Sequence, residues 1–361
     1  MQSCALIGQD QIADRRIMGA TLKDVARAAG VSAATVSRVM QDNPRISQKT
    51  KARVRACVAE LGYTVNNVAR SLKTSKTRTI GFICPELTNS FFMQVAKGVE
   101  DELKKAGYSL IICNSGENAE EETARLRLLM EQCVDGIILV PATRNGAHFA
   151  PVREAGIPVV LVDRMVDNFP TDAVLVDNVN GSYTATEALL AGGHRRIAYI
   201  GGDRELTNAR ERDEGYRRAL SDYHIPPEEA IIRYGDFHAE SGYSLMKELM
   251  EMDEPPDTVF IANYFMYLGA TRYLLGEGTK RHRDGQGPRE PVTLANFDNL
   301  EYLSVFGGSE IVVEQPMLAL GQQAAQLMLS RVGGDRTAFP RLIRLKTKLL
   351  FPGRANGTGI T

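Results

Sequence analysis

From Thr79 onward the chain is written as short apolar runs, each cut off by turn residues and followed by a stretch of helical period. TIGFICP, YSLIICNS, VDGIILVP and IPVVLVD form one series; RIAYIGGD, AIIRYGD, DTVFIAN and VTLANFD form a second. Runs of this kind read as parallel strands buried on both faces. Between the first two, Phe92, Val95, Ala96, Val99 and Leu103 fall on one helix face. Strand and helix in alternation predict an α/β chain with two doubly wound sheets. IVVEQP reads as the segment that returns the chain to the first sheet. Such crossings favour hinge motion about a cleft between two lobes.

At 361 residues the chain exceeds one ordinary core, so two or three compact units are expected. Charge sets the first part apart from the rest. Residues 1–76 carry 13 Lys/Arg and 5 Asp/Glu, and the remainder carries 30 and 39, a contrast hidden within a net charge of −1. A basic module on an acidic body points to a polyanion partner for the first part alone; the plainer reading is solvated surface charge.

That basic part opens with three short helical patterns. Thr21 and Asp24 have the form of a capping box, and Val25, Ala26 and Ala29 make one apolar stripe. Gly30 supplies a sharp corner, Ser32 caps a second helix, and Val36 and Val39 point back at the first. Small Ala26 lets the two helices approach, as a helix-turn-helix requires. Ser47 caps a third helix with Val54, Val58 and Leu61 at helical spacing, and Gly62 ends it. The outward face of the second helix carries Ala33, Ala34, Thr35, Ser37 and Arg38. Arg38 can fork onto a guanine, and the Ala methyls can touch a thymine methyl. Lys49, Lys51, Arg53 and Arg55 read as phosphate contacts or solvated charge.

Several function classes are disfavoured. Five cysteines, an odd number without CxxC spacing, argue against a disulfide framework or a zinc site and fit a reducing cytosol; Cys57, Cys84 and Cys113 read as packing residues. No apolar run reaches the roughly 18 residues of a membrane span. The first residues lack a signal-peptide core, and a start at Met18 is plausible, which makes 1–17 a dispensable extension. YIGGDRE has adjacent glycines after a strand but no GxGxxG, and no GxxxxGK[ST] loop occurs. The five histidines show no metal-ligand spacing, and His194 reads as structural. An enzyme, a metal and a cofactor are therefore not expected.

Ligands in open α/β sheets sit beyond the carboxyl ends of the strands. The residues there are Asn89, Phe91 and Phe92, Asp163 and Arg164, Arg212, Asn263, and Asp298. Carboxylates can accept paired hydroxyls, arginine can fork onto them or onto a phosphate, and a ring can stack on a sugar's apolar face. Asn263 and Asp298 also fit as helix caps, and Phe91 or Phe92 as core.

TLKDVARAAGVSAATVSRVM, followed by ELGYTVNNVARSLKTSKTRTIGFICPELTNSFF, resembles the lactose/galactose repressor family of bacterial transcription regulators, over about residues 20 to 350. The resemblance implies a helix-turn-helix head over 20–65, a hinge over 66–77, and two Rossmann-like lobes of the periplasmic-binding-protein kind over 78–352. Lobe 1 is expected to take 78–176 and 317–340, lobe 2 177–314 and 341–352, with 1–19 a disordered extension and 353–361 a tail. It further implies that Ser32, Ala33, Ala34, Thr35, Ser37 and Arg38 read the operator. Asn66, Ala69 and Leu72 of the hinge NNVARSLK would bind DNA, with Leu72 inserted into the minor groove as the wedge. By family position Asp163, Arg212, Asn263 and Asp298 match effector-binding residues, with Phe91, Phe92 and Phe237 lining the pocket.

Two departures stand out. Val65 replaces the usual proline before the hinge asparagine, and Tyr264 replaces the usual aspartate after Asn263, with Phe265 and Tyr267 close by. These aromatics could narrow the cleft, or be core or dimer contacts. The implied function is a cytoplasmic, nucleoid-associated bacterial repressor of carbohydrate genes. It would bind a palindromic operator as a homodimer and answer to a sugar or sugar phosphate. Its rivals are a DNA-binding protein without a small-molecule response and a plain sugar-binding receptor. The short polar tail carries no heptads, so a dimer rather than a tetramer is expected.

Overall fold

The computed structural model describes residues 20–40, 42–63, 76–279, 291–298 and 311–352. Val65, Asn66, Ala69, Leu72, the extension 1–19, the loop residues 280–290 and the tail 353–361 lie outside the described residues. The chain divides into two compact units, ending and beginning at Thr77 and Arg78.

The first unit holds α1 (Leu22–Ala28), α2 (Ala33–Met40) and α3 (Gln48–Glu60). The capping box forms: the Asp24 N–H donates to Thr21 Oγ1 at 3.3 Å and the Thr21 N–H donates to Asp24 Oδ2 at 3.0 Å. Gly30 turns the chain at φ 59°, a region that glycine enters without a Cβ penalty. Ser32 Oγ then accepts the Thr35 N–H at 3.1 Å. Val25, Ala26, Ala29, Val36, Val39 and Val54 make the core. Leu61 does not join it. The helix stops at Glu60, which leaves Leu61 as the C-cap with its side chain exposed, and Ile46 and Tyr63 pack against the core instead.

In the second unit, one lobe is built on β1 (Thr79–Cys84), β2 (Ser109–Asn114), β3 (Gly136–Leu139), β4 (Val159–Val162), β5 (Asp172–Val176) and β11 (Leu342–Leu345). Their order is β11-β5-β4-β3-β1-β2, all parallel. The other is built on β6 (Ile197–Gly201), β7 (Ile232–Tyr234), β8 (Thr258–Ile261), β9 (Thr293–Phe297), β10 (Ile311–Glu314) and β12 (Lys348–Leu350), ordered β12-β10-β9-β8-β6-β7 with only β12 antiparallel.

Helices cover both sheets. The first lobe carries α4 (Ser90–Lys105), α5 (Ala119–Glu131), α6 (Ala150–Glu154) and α11 (Met317–Val332). The second carries α7 (Asn178–Ala191), α8 (Thr207–Asp222), α9 (Ala239–Met250) and α10 (Tyr264–Tyr273). Pairs of helices touch backbone to backbone. A Cβ on Gly98 of α4 would overlap the Leu318 carbonyl of α11, and one on Gly269 of α10 would overlap the Ala239 carbonyl of α9.

The chain crosses between lobes after Val176, after Glu314 and after Leu345. The last crossing corrects an expectation. Residues 342–345 pair with β5 in the first sheet, in register from Leu342 opposite Ala173 to Leu345 opposite Val176, so they do not belong to lobe 2. Only 348–350 do, beside β10. The IVVE run is itself a strand of the second sheet, and the return to the first begins at Gln315.

Candidate functional site

In the head, α2 is amphipathic. Val36 and Val39 are buried; Ser32, Ala34 and Arg38 are exposed, and Ala33, Thr35 and Ser37 are half-buried beside them. Ser32 Oγ and Thr35 Oγ1 lie 2.9 Å apart, which fixes the first turn. Arg38 forms no ion pair among the described residues, so its guanidinium remains available to a base edge or a phosphate. The basic side chains of α3 divide. Lys51 was expected at a phosphate or in solvent, yet it is buried and donates to the Asp42 carbonyl at 3.1 Å and to Asp42 Oδ1 at 2.9 Å. It ties the end of α2 to α3. Arg55 pairs with the same carboxylate at 2.8 Å but stays exposed, as do Lys49 and Arg53.

In the second unit a cleft of about 140 Å³ opens at the carboxyl ends of both sheets. Phe91, Phe92, Asp163, Arg212, Phe237, Asn263 and Asp298 all line it. Asp163 follows β4, Phe237 precedes α9, and Asp298 follows β9, with φ of 68°, 67° and 76°. Left-handed backbone at non-glycine residues costs about 1–3 kcal/mol each, and its concentration here turns these side chains toward one space.

Arg212, on the second turn of α8, is the buried centre of the second wall. Its Nε donates to Asn178 Oδ1 at 2.9 Å, one Nη to the Ala262 carbonyl at 2.6 Å and the other to Gln315 Oε1 at 3.3 Å. The guanidinium carbon stands 4.1 Å from the centre of the Phe297 ring. Gln315, at the crossing back to the first lobe, also bonds the Asp298 carboxylate. Asn263 serves two roles. It caps α10 by accepting the Met266 N–H at 2.9 Å, and its amide donates to the Phe237 carbonyl at 3.0 Å. Phe91 and Phe92 meet edge to face at 5.2 Å, at once core and cleft wall.

On the first wall, Asp163 Oδ2 accepts from Asn208 Nδ2 at 2.8 Å across the lobes, and Thr207 Oγ1 accepts the Met165 N–H at 2.9 Å. Asp163 Oδ1 is buried and accepts no hydrogen bond among the described residues. Burial pushes the Asp163 carboxyl above the usual carboxylate range, opposed first by Arg164 and then by Arg212. Burial raises Asp298 too, opposed by Arg212 and then by the Gln315 hydrogen bond. Both raised carboxyls line the cleft.

The set chosen from sequence is incomplete. Arg164, already among the strand-end residues, lines the cleft, and so do Glu117, Asn208, Gln315 and Glu86, which the sequence reading does not name. Arg164 stands beside Asp163 at the strand end, and Asn208 lies one helical turn before Arg212, the signal that could have found it. Gln315 directly follows β10 and Glu117 lies in the loop after β2, so the strand-end rule could have found both. Of the three aromatics after Asn263, Phe265 lines the cleft, Tyr267 is buried in the lobe core and Tyr264 packs against that core. His194 Nδ1 sits 2.7 Å from Thr258 Oγ1, a structural pairing. Among the described residues, no group of three or more His, Cys, Asp or Glu could hold a metal ion, and no helix is long and apolar enough to cross a membrane.

Comparison with known proteins gives a consistent picture. Residues 21–66 match the model for bacterial regulatory proteins of the lacI family, and residues 77–350 match the model for periplasmic binding proteins and the sugar-binding domain of the LacI family. The chain is 34% identical over 314 residues to the HTH-type transcriptional repressor PurR of Vibrio atlanticus (strain LGP32), covering 87% of this chain and 92% of that protein. It is 31% identical over 335 residues to catabolite control protein A of Priestia megaterium, covering 92% and 98%. Among solved structures, a complex of the transcriptional regulator CelR with cellobiose is 30% identical with a TM-score of 0.68, covering 92% of this chain and 98% of that one. The lac repressor dimer bound to operator and the anti-inducer ONPF is 26% identical with a TM-score of 0.77 and the same coverage.

Proposed function

Because the chain belongs to the LacI family of bacterial regulatory proteins, we propose that it is a sequence-specific transcriptional repressor of carbohydrate genes. It acts at the nucleoid as a homodimer on palindromic operator DNA, under control of a sugar or sugar phosphate. The observation that supports this most is the convergence of seven strand-end and helix side chains on one cleft, in a chain that also carries a helix-turn-helix with an exposed arginine. Relatives whose names state an activity include HTH-type transcriptional repressors and regulators, and catalysis is not part of this reading.

Effector binding acts by preferring one angle between the lobes. Gln315 lies where the chain crosses between them and holds both Arg212 and Asp298, so filling the cleft bears directly on a crossing segment. A preference of about 1–3 kcal/mol for one state would change operator affinity by roughly 5–150-fold. The test is selection from random duplexes with full-length protein. A symmetric site should emerge and its binding should weaken with salt. Arg38→Ala should reduce preference for that site by about 1–3 kcal/mol while the protein stays folded. Failure to enrich any symmetric site would sink the proposal.

A further inference from the structure

The charge of the cleft narrows the chemistry of its ligand, on the premise that the cleft is the effector site. Four carboxylates line it, from Glu86, Glu117, Asp163 and Asp298, against two guanidiniums, from Arg164 and Arg212. Arg164 is already engaged. Glu117 grips it with both oxygens, at 2.7 and 2.9 Å, and the Pro141 carbonyl accepts from it at 3.1 Å. The pair is bidentate and mostly buried, the arrangement in which a guanidinium is least available to a second anion. Arg212 makes its hydrogen bonds to neutral acceptors, but its charge already acts on the Asp163 and Asp298 carboxyls, so an anion reaching it would lie close to both. His238, at the rim, stands 3.3 Å from the Asp236 carboxylate.

A phosphoryl group would bring roughly −1.5 to −2 charges into this space. It would meet an excess of carboxylate with Arg164 already paired, where low dielectric magnifies the repulsion. Hydroxyls fit the same groups. Asp163 Oδ1 is a buried acceptor awaiting a donor, Arg212 retains N–H groups beyond its three bonds, and Phe91 and Phe237 offer apolar faces. We propose that the cleft selects an uncharged, polyhydroxylated ligand, a sugar without phosphate, and that Glu117 sets this selectivity by occupying Arg164.

The test is calorimetric titration of full-length protein with ribose, glucose, fructose and cellobiose, beside ribose 5-phosphate, glucose 6-phosphate and fructose 1-phosphate. One neutral sugar should bind, with its phosphate weaker by roughly a hundredfold. Glu117→Gln frees Arg164 and should narrow that gap by about tenfold, through gained phosphate affinity. Higher salt should narrow it in the unaltered protein as well, a readout that does not depend on the variant folding. A phosphate binding as tightly as its parent sugar would overturn the charge selection while leaving the effector site intact. A gap untouched by both Glu117→Gln and salt would remove Glu117 from the explanation. Silence from both classes of probe would instead remove the premise that the cleft takes a sugar.

Discussion

The two lobes of the second unit are one design used twice. Each orders its strands as return strand, fifth, fourth, third, first, second, and each seats glycines where two helices touch. Their charges are handled differently. The first lobe buries paired arginines: Arg331 with Asp172 at the return edge, and Arg164 with Glu117 at the cleft. The second buries Arg212 among neutral acceptors and a ring. The shared topology therefore sets where a site can form, and the side chains at the strand ends decide what it does.

The sharpest way to break the comparison is at the first lobe's edge. Arg331 and Asp172 are both almost fully buried and meet in two bonds, of 2.6 and 2.9 Å, which pin α11 to β5. Arg331→Met would leave a buried carboxylate without its cation and should cost about 3–5 kcal/mol in urea denaturation. Adding Asp172→Asn should recover much of that loss, because the stranded charge goes with it. Hydrogen exchange should show β4, β5 and β11 losing protection ahead of β6 to β10. Equal loss in both sheets would mean that the lobes unfold as one unit and that their difference in charge pairing has no local consequence.

How much of this was legible in the sequence follows from the range of each signal. The long buried strands and the head's caps are local patterns, and TIGFIC, VVLV, Thr21 and Ser47 fall where periodicity and capping chemistry place them. Asp172–Val176, Leu342–Leu345 and Lys348–Leu350 escaped notice. The last two are partly exposed edge strands in RLIRLKTKLL, alternating apolar with basic residues, and nothing nearby says which sheet each joins. The burial of Lys51 is hard to read from the sequence for a related reason. Its partner Asp42 lies nine residues back, brought close by the turn after α2. The cleft residues at strand ends could be named because the fold class says where ligands go. Glu117 also stands in a loop at a strand end, after β2, but its pairing with Arg164, 47 residues away, is tertiary and leaves no local trace.

A smaller effect would sharpen the contrast from the second lobe. A Cβ on Gly202 would overlap the Phe237 ring, so glycine at that position is what seats the ring at the cleft. Gly202→Ala should push the ring toward the ligand space and weaken a bound neutral sugar by about 1 kcal/mol, roughly fivefold. The melting temperature should move far less than in Arg331→Met, since Phe237 is only half-buried. A large loss of stability with unchanged affinity would make the ring part of the core and remove it from the site.

The smallest effect concerns the carboxyls that the two walls hold in common. Asp163 and Asp298 are both raised by burial, with Arg164 the first counterweight to Asp163 and Arg212 to Asp298. A raised folded value means that folding shifts each group toward its protonated form without setting which form prevails at neutral pH. Ionising them costs stability above the folded value, and that cost disappears as pH falls below the unfolded one. A ligand hydroxyl donating to Asp163 Oδ1 favours the ionised form, so binding should release at most one proton per carboxyl, and affinity should fall as pH drops through the raised values. Titrations in buffers of different ionisation enthalpy would measure that release, and Asp298→Asn should remove the second wall's share of it. Proton uptake on binding would reverse the sign and show that the ligand accepts from a protonated carboxyl. In that case the two walls would recognise the ligand as acids, and the comparison between them would have to be redrawn around neutral rather than charged groups.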